Sequence, residues 1–224
     1  MSERVLVVAA HPDDEALGCG ATMARHSTNG DTVDVVFIAD GVSSRAQSTD
    51  MLEPRRQAAH QAAEILGARP PRFLDFADNR LDSVALLDVT QAIERTIAET
   101  DPTIIYTHHG GDLNVDHRVV HQAVVTALRP MPASRFVGLF AFEVASSTEW
   151  ATSAIGEAFR PDRFIDVSAF MSRKIAALNA YHAEMRPAPH ARSLVAIEAL
   201  ATLRGASAGL GAAEAFITLK WIER

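Results

Sequence analysis

The sequence contains a single cysteine, Cys19, among its 224 residues. One cysteine cannot form a disulfide bond within the chain, and it excludes a zinc site built from several cysteines. Long apolar runs are also missing, because none approaches the roughly 20 residues that cross a bilayer. The N-terminus has no apolar signal core, since Ser2-Glu3-Arg4 leads directly into the first predicted strand. We therefore expect a cytoplasmic protein without a membrane segment.

Basic residues are scarce, with 21 Lys and Arg against 28 Asp and Glu and a net charge of −7. A nucleic-acid-binding protein usually carries a basic face, as does a helix that lies on a membrane surface. We therefore expect neither nucleic acid nor a membrane as a partner. The composition is that of an ordinary globular protein, and we find no internal repeat or linker. Residues 1–224 are predicted to form a single domain.

Strand-like and helix-like segments alternate along the chain. The predicted strands cover residues 5–10, 33–39, 72–76, 103–107, 136–144, 164–167 and 213–221. The predicted helices cover residues 16–27, 53–66, 84–99, 118–128, 168–184 and 192–204. This alternation predicts an α/β fold, in which a mostly parallel, twisted, doubly wound sheet carries helices on both faces.

The first predicted strand ends in a charged cluster, His11-Pro12-Asp13-Asp14-Glu15. In open α/β sheets, ligands bind outside the carboxyl ends of the strands, which is where this cluster falls. The small residues that follow, such as Gly18 and Gly20, allow close packing as the chain turns into a helix. This turn lacks the Gly-x-Gly-x-x-Gly pattern of dinucleotide sites, so a nucleotide-binding role is disfavoured.

A second polar cluster, residues 108–117, follows the strand predicted at 103–107. His11 and Asp14 are three residues apart at a strand-to-helix turn, and His117 at the start of the next helix could supply a third ligand. Two histidines and one carboxylate around an open position are typical of a catalytic zinc site. Asp13 is placed to accept a proton from water at such a site. Asp116 is placed to orient His117 or a neighbouring imidazole.

Each cluster taken by itself also has a purely structural interpretation. Asp13 or Asp14 could cap the helix that follows the first strand, and Asp116 could cap the helix that begins near His117. Together, however, these carboxylates and histidines at two strand ends are costly to bury without a cation. The combination therefore favours a metal site.

The motif Ala10-His11-Pro12-Asp13-Asp14-Glu15, together with Asn114-Val115-Asp116-His117-Arg118, resembles the zinc-dependent N-deacetylases. These are typified by the N-acetylglucosaminyl-phosphatidylinositol de-N-acetylase family. The resemblance implies a Rossmann-like sheet without a nucleotide-binding role. It also implies hydrolysis of an N-acetyl amide on a small molecule that contains N-acetylglucosamine, with release of acetate and a free amine. Since relatives are often oligomers, a homo-oligomer stays open.

The same resemblance implies one Zn²⁺ ion per chain, held by His11, Asp14 and His117, with Asp13 as the general base. A site with two histidines and one aspartate also accepts other divalent metals, such as iron or cobalt. The substrate class comes from the resemblance alone.

The second motif departs from its pattern in many relatives, which have a histidine where this chain has Asn114. Asparagine can donate a hydrogen bond to an oxyanion, but it cannot act as a proton-donating acid. His108, His109 and His190 are the candidates to replace that imidazole, and we favour His190 in its proline-flanked loop. The candidate catalytic residues are therefore Asp13, Asp116 and His190.

Three residues are candidates for substrate binding: Arg45 at the tip of the second strand, Asn114, and Glu143 at the end of the fifth strand. Trp150 could stack on a sugar face, although tryptophan at such a position is often partly buried in the core. Two other functions are open. One is a metal-dependent amidase that acts on a thiol conjugate or another amide, and the other is a non-catalytic metal- or sugar-binding protein. Asp13 argues against the latter, because binding alone requires no base.

Overall fold

The computed structural model describes residues 2–44, 48–130 and 135–223. The strands in this part of the chain are β1 Arg4–Ala9, β2 Thr32–Ala39, β3 Arg72–Phe76, β4 Ile104–His108, β5 Gly138–Phe142, β6 Arg163–Asp166 and β7 Ala213–Trp221. The helices are α1 Asp14–Thr28, α2 Ser48–Leu66, α3 Leu86–Thr100, α4 Val115–Ala127, α5 Met171–Ala180 and α6 Leu194–Ala206. Two short 3₁₀ turns, Leu81–Ser83 and Thr148–Trp150, complete the description.

All of these strands belong to one sheet in the order β3-β2-β1-β4-β5-β7-β6. Strands β1 to β5 pair in parallel, and β7 runs antiparallel between β5 and β6. The predicted α/β fold with a mostly parallel sheet is confirmed. Because β1 and β4 are parallel neighbours, the segments that follow them emerge at the same edge of the sheet.

Two apolar layers cover the faces of the sheet, as the alternation of side chains along a strand requires. In β1, Val5 and Val7 pack into the layer that also contains apolar residues of α1, α2 and α5. Leu6 and Val8 pack into the opposite layer, which contains apolar residues of α3 and α4. Helices therefore flank both faces, as predicted.

The helix boundaries differ from the predictions mainly at the N-termini and in α5. Helix α1 begins at Asp14 instead of residue 16, so the charged cluster enters the helix. Helix α2 begins at Ser48 instead of residue 53 and contains Pro54. Helix α5 covers Met171–Ala180 instead of 168–184, because the chain leaves it in a turn at Tyr181.

Helix α1 is kinked at Cys19, whose φ of −145° is not helical. The carboxylate of Glu214 accepts hydrogen bonds from the backbone N–H groups of Ala21 and Thr22, beyond the kink. Lys174 donates to Glu214 and to a backbone carbonyl before the kink. A buried ion pair thus satisfies backbone groups that a regular helix would pair internally.

Within the described ranges, no helix combines the length and the apolar character needed to cross a membrane. The single-domain organisation, the cytoplasmic location and the oligomeric state stay predictions.

Replacement of Gly18 by alanine is expected to lower the free energy of unfolding by about 1–3 kcal/mol, because the new methyl group would overpack the core. A Cβ atom at Gly18 would lie 2.3 Å from Cδ2 of Phe142, a fully buried ring that cannot move aside. Urea denaturation measures the change.

The matched control is Gly20→Ala in the same helix, where the nearest atom to the added Cβ would be 3.6 Å away. This substitution should be neutral or stabilising, since alanine is the better helix former. Equal destabilisation by the two substitutions would contradict close packing of α1 on β5 at Gly18.

Candidate active site

The turn between β1 and α1 places the first set of polar side chains. The backbone N–H of His11 donates to Asp14 Oδ2 at 2.9 Å, and the N–H of Asp14 donates back to the carbonyl of His11. Asp13 between them has a φ of 128°. Among the described residues, the Asp13 side chain accepts no capping hydrogen bond from α1. The capping interpretation therefore does not explain Asp13, and the Asp14 carboxylate faces His11.

The structure brings His11, Asp14 and His117 together. Asp14 Oδ2 lies 3.2 Å from His11 Nδ1 and 3.2 Å from His117 Nε2. Tetrahedral zinc ligands about 2.0–2.1 Å from the ion are about 3.3 Å apart, so this spacing fits a shared cation. Asp14 Oδ1 is buried and has no hydrogen-bond partner in the described part of the chain. The three side chains can therefore hold a metal ion.

The charges of these groups depend on one another. Burial raises the pKa of Asp14, but His117, His108 and His11 outweigh it and hold that pKa well below its ordinary value. Burial lowers the pKa of His117, yet Asp14 and Asp112 raise it to about 9. The ionised Asp14 carboxylate thus favours a protonated, positively charged His117 beside it. A bound cation would supply that charge instead, with release of the protons from its ligands.

His11 is supported from behind by two further carboxylates. His11 Nε2 lies 3.0 Å from Asp116 Oδ2 and 3.1 Å from Asp78 Oδ1. Asp116 also accepts hydrogen bonds from the backbone N–H groups of Asn79 and Leu81. His11, Asp78 and Asp116 lie close enough together to hold a cation themselves. Backbone N–H groups already donate to both oxygens of Asp116. We therefore interpret Asp116 and Asp78 as carboxylates that orient the His11 ring, and not as metal ligands.

His117 has a carboxylate behind it as well. Its Nδ1 lies 3.1 Å from Asp112 Oδ1. Asp112 in turn accepts hydrogen bonds from the hydroxyl groups of Ser147 and Thr148 and from the backbone N–H of Asn114. Burial raises the pKa of Asp112, but His117 and the two hydroxyls lower it to about 2. Each of the two candidate histidine ligands therefore has a buried carboxylate beside it, Asp116 next to His11 and Asp112 next to His117.

His108 lies beside the candidate metal-binding group of His11, Asp14 and His117 and is completely buried. Its ring stacks on His117 with centroids 3.9 Å apart, and its Nε2 accepts a hydrogen bond from the N–H of Ala10 at 2.8 Å. Burial and the neighbouring His117 hold the pKa of His108 well below its ordinary value. A neutral His108 can support the ligands by packing, since its ring fixes that of His117.

Asp13 is held by two arginines. Its Oδ2 lies 2.8 Å from Arg192 Nη1 and 3.3 Å from Arg55 Nη2. Arg55 also pairs with Glu184. Burial raises the pKa of Asp13, and Arg55 and Arg192 oppose that rise.

These groups line a polar cavity of about 130 Å³. Its walls include His11, Asp13, Arg55, Asp78, Asn114 and Arg192. The Asn114 side chain caps α4 by accepting from the N–H of Asp116, and it donates to Asn79 at 3.3 Å. Asn114, and not Asp116, is thus the N-cap of this helix.

The proline-flanked loop reaches the cavity through Arg192, and His190 is not among the described residues that line it. The Nδ1 of His190 accepts from the N–H of Arg192, and its ring meets Trp150 edge-on at 5.5 Å. His109 Nε2 lies 2.8 Å from the carbonyl of Glu157. The catalytic role of His190 stays a prediction.

Glu143, a second predicted substrate-binding residue, lies elsewhere. Glu143 forms a two-fold hydrogen-bonded pair with Arg204, at 2.6 and 2.7 Å, and lines a separate cavity of about 260 Å³. Arg45 falls outside the described residues.

Sequence reasoning assigned no individual role to four residues of this site: Asp78, Asp112, Glu184 and Arg192. The position of Asp78 could have indicated a role, because Asp78 follows the carboxyl end of β3 just as Asp13 follows that of β1. Both ends lie at the same edge of the parallel sheet. Asp112 and Arg192 stood within polar segments already under consideration. Glu184 carries no local signal, since it lies beyond α5 and meets Arg55 only in the folded chain.

Comparisons with known proteins place this chain among deacetylase-like sequences. A family profile described as GlcNAc-PI de-N-acetylase (PIG-L) matches residues 6–128. The chain is 35% identical over 133 residues to the uncharacterized deacetylase YaiS of Escherichia coli K12, which covers 57% of this chain and 69% of that protein. It is 29% identical over 194 residues to a probable N-acetyl-alpha-D-glucosaminyl L-malate deacetylase 2 of Bacillus cereus, covering 82% of this chain and 84% of that protein.

Among solved structures, the chain is similar to the 4-carboxy-2-hydroxymuconate hydratase of Pseudomonas putida KT2440. The TM-score is 0.75 at 24% identity, with 98% of this chain and 97% of that chain covered. Likeness at this identity concerns the fold.

The family profile spans more than half of the chain and contains both polar clusters, from His11 to His117. The chain therefore belongs to the GlcNAc-PI de-N-acetylase (PIG-L) family.

Proposed function

We propose that this protein is a zinc-dependent N-deacetylase that hydrolyses the N-acetyl amide of a small molecule containing N-acetylglucosamine. The products are acetate and a free amine. One observation carries the proposal: a carboxylate, Asp13, lines a polar cavity together with His11, which belongs to the candidate metal-binding group of His11, Asp14 and His117. The substrate class rests on family membership and on relatives such as the Bacillus cereus protein named as a deacetylase.

The fold alone does not establish the deacetylation reaction, because a hydratase has a similar fold. The chemistry must come from the site. His11, Asp14 and His117 are the residues that would hold the ion, with Asp116 and Asp112 orienting the two imidazoles. When bound, zinc supplies Lewis acidity, which polarises an amide carbonyl and lowers the pKa of water. Other divalent metals are compatible with this ligand set.

Asp13 is the proposed general base. It accepts a proton from the attacking water and passes that proton to the nitrogen that leaves when the C–N bond breaks. Arg55 and Arg192 both contact Asp13 Oδ2, so we assign the proton transfer to Oδ1. Burial raises the pKa of Asp13, and the two cations oppose that rise and fix the direction of the carboxylate.

Asp116 acts through His11 in this proposal and is a positioning residue. Asn114 is the proposed contact for the amide oxygen, since it lines the cavity beside His11. The remaining hydrogen-bonding groups of the cavity suit the hydroxyl groups of an amino sugar.

Acetate release tests the function directly. Zinc-loaded protein is expected to release acetate from at least one N-acetylglucosamine glycoside in a panel, to lose this activity in a chelator and to regain it with zinc. The control substrate is an amide of a thiol conjugate. Cleavage of that conjugate without acetate from any sugar would instead identify an amidase of different specificity.

Asp13→Asn is expected to lower kcat for acetate release by about 10²–10⁴-fold, the usual contribution of a general base. Its zinc content should equal that of the unmodified protein, because Asp13 is outside the ligand group. The measurements are steady-state kinetics and zinc per chain. Unchanged turnover would show that another group accepts the proton.

His117→Ala is expected to abolish stoichiometric zinc binding. Loss of a carboxylate that merely supports a ligand typically costs about 10–100-fold in metal affinity, so loss of a ligand should cost more. Metal analysis after dialysis measures the zinc content. The matched control is His109→Ala, which removes a buried histidine whose Nε2 faces the carbonyl of Glu157 instead of the cluster. Full zinc occupancy in His117→Ala would refute this ligand set.

A further inference from the structure

A second cavity lies against the polar one, between α2 and the turn that follows α5. Its volume is about 190 Å³. Helix α2 contributes Met51, Pro54 and Ala58 to its wall, and the end of α5 with the following residue contributes Ala180 and Tyr181. The described wall is predominantly apolar, in contrast to the polar wall of the cavity beside Asp13.

Two residues, Arg55 and Glu184, line both cavities. Arg55 pairs with Glu184 and contacts Asp13, and its guanidinium lies 5.8 Å from the centre of the Tyr181 ring. Arg55 and Glu184 are nearly buried, at 7% and 4% exposure. This ion pair therefore forms part of the wall of both cavities, which adjoin one another here.

The size of the apolar cavity limits its occupant. A water molecule occupies roughly 30 Å³ in the liquid. With the same volume for each non-hydrogen atom of a ligand, the apolar cavity holds about six such atoms. That is a short alkyl chain or one aromatic ring, and it is too small for a full lipid acyl chain. Each buried methylene group would favour binding about fourfold.

We propose that this cavity is a subsite for an apolar substituent, a short alkyl or aryl group that the amino-sugar substrate carries. The inference rests on the proposed function, because it places the sugar of that substrate in the adjoining polar cavity. Because the two cavities share Arg55 and Glu184 as wall residues, a group in the apolar cavity would adjoin the sugar, which favours a part of the substrate over an unrelated ligand.

The test compares acetate release from the methyl, hexyl and dodecyl glycosides of N-acetylglucosamine by the zinc-loaded full chain. The hexyl glycoside should have a kcat/KM about tenfold or more above the methyl glycoside, through a lower KM, because the cavity buries its chain. The dodecyl glycoside should gain nothing further. Equal kcat/KM for methyl and hexyl glycosides would overturn the subsite while leaving the deacetylase function in place.

Substitutions that fill the cavity should remove the preference for the hexyl glycoside. Ala58→Leu is the first such variant, and Ala180→Leu is the second in case the first does not fold. The matched control is Ala176→Leu on the exposed face of α5, which should keep the ratio of hexyl to methyl kcat/KM. A preserved ratio in a folded filling variant, or its loss in the control as well, would contradict the assignment.

Calorimetric binding of the methyl and hexyl glucosaminides, which carry no acetyl group, separates the two proposals. Tighter binding of the hexyl compound with no acetate from any glycoside would support the subsite and refute the deacetylase function. Equal binding of the two compounds would overturn the subsite whatever the activity.

Discussion

One buried carboxylate oxygen, Asp14 Oδ2, lies at the centre of the site. Imidazole nitrogens of His11, His117 and His108 lie 3.2, 3.2 and 3.5 Å from it. Four more aspartates of the site are also buried: Asp13, Asp78, Asp112 and Asp116. A buried carboxylate without compensation is unstable, so each of them requires a cation, a donor or an imidazole. The arrangement of ligands, supports and arginines follows from this requirement.

The sheet makes that concentration of charge possible. Since β1 and β4 are adjacent and parallel, the segments carrying His11 and His117 emerge side by side. Two contacts of α1 hold the helix in place. Gly18 packs closely against Phe142, and the Lys174–Glu214 pair lies at the kink. Packing on the far side of α1 therefore supports the orientation of Asp14.

The grouping of His11, Asp14 and His117 was predictable from sequence because these candidate ligands lie in or next to short connections. His11 and Asp14 share one turn, and a histidine at the start of the next strand-to-helix connection is easily recognised. The partner of Asp116 was harder to assign. Consecutive residues on a helix point in different directions, so Asp116 does not face its neighbour His117 and instead reaches His11.

Long-range contacts set the limit of prediction elsewhere. Arg192, and not His190, meets Asp13, although both stand in the same loop far along the chain. Irregular loops have no periodicity from which the direction of a side chain could be inferred. The apolar cavity beside Arg55 likewise exists only where α2 meets the end of α5.

The central claim is that His11, Asp14 and His117 share one metal ion. Anomalous diffraction at the zinc edge, from crystals of the zinc-loaded protein, tests it most directly. The account predicts one strong peak within about 2.0–2.2 Å of His11 Nδ1, a carboxylate oxygen of Asp14 and His117 Nε2. A peak between His11 Nε2, Asp78 and Asp116 instead, or no peak at either position, would contradict it.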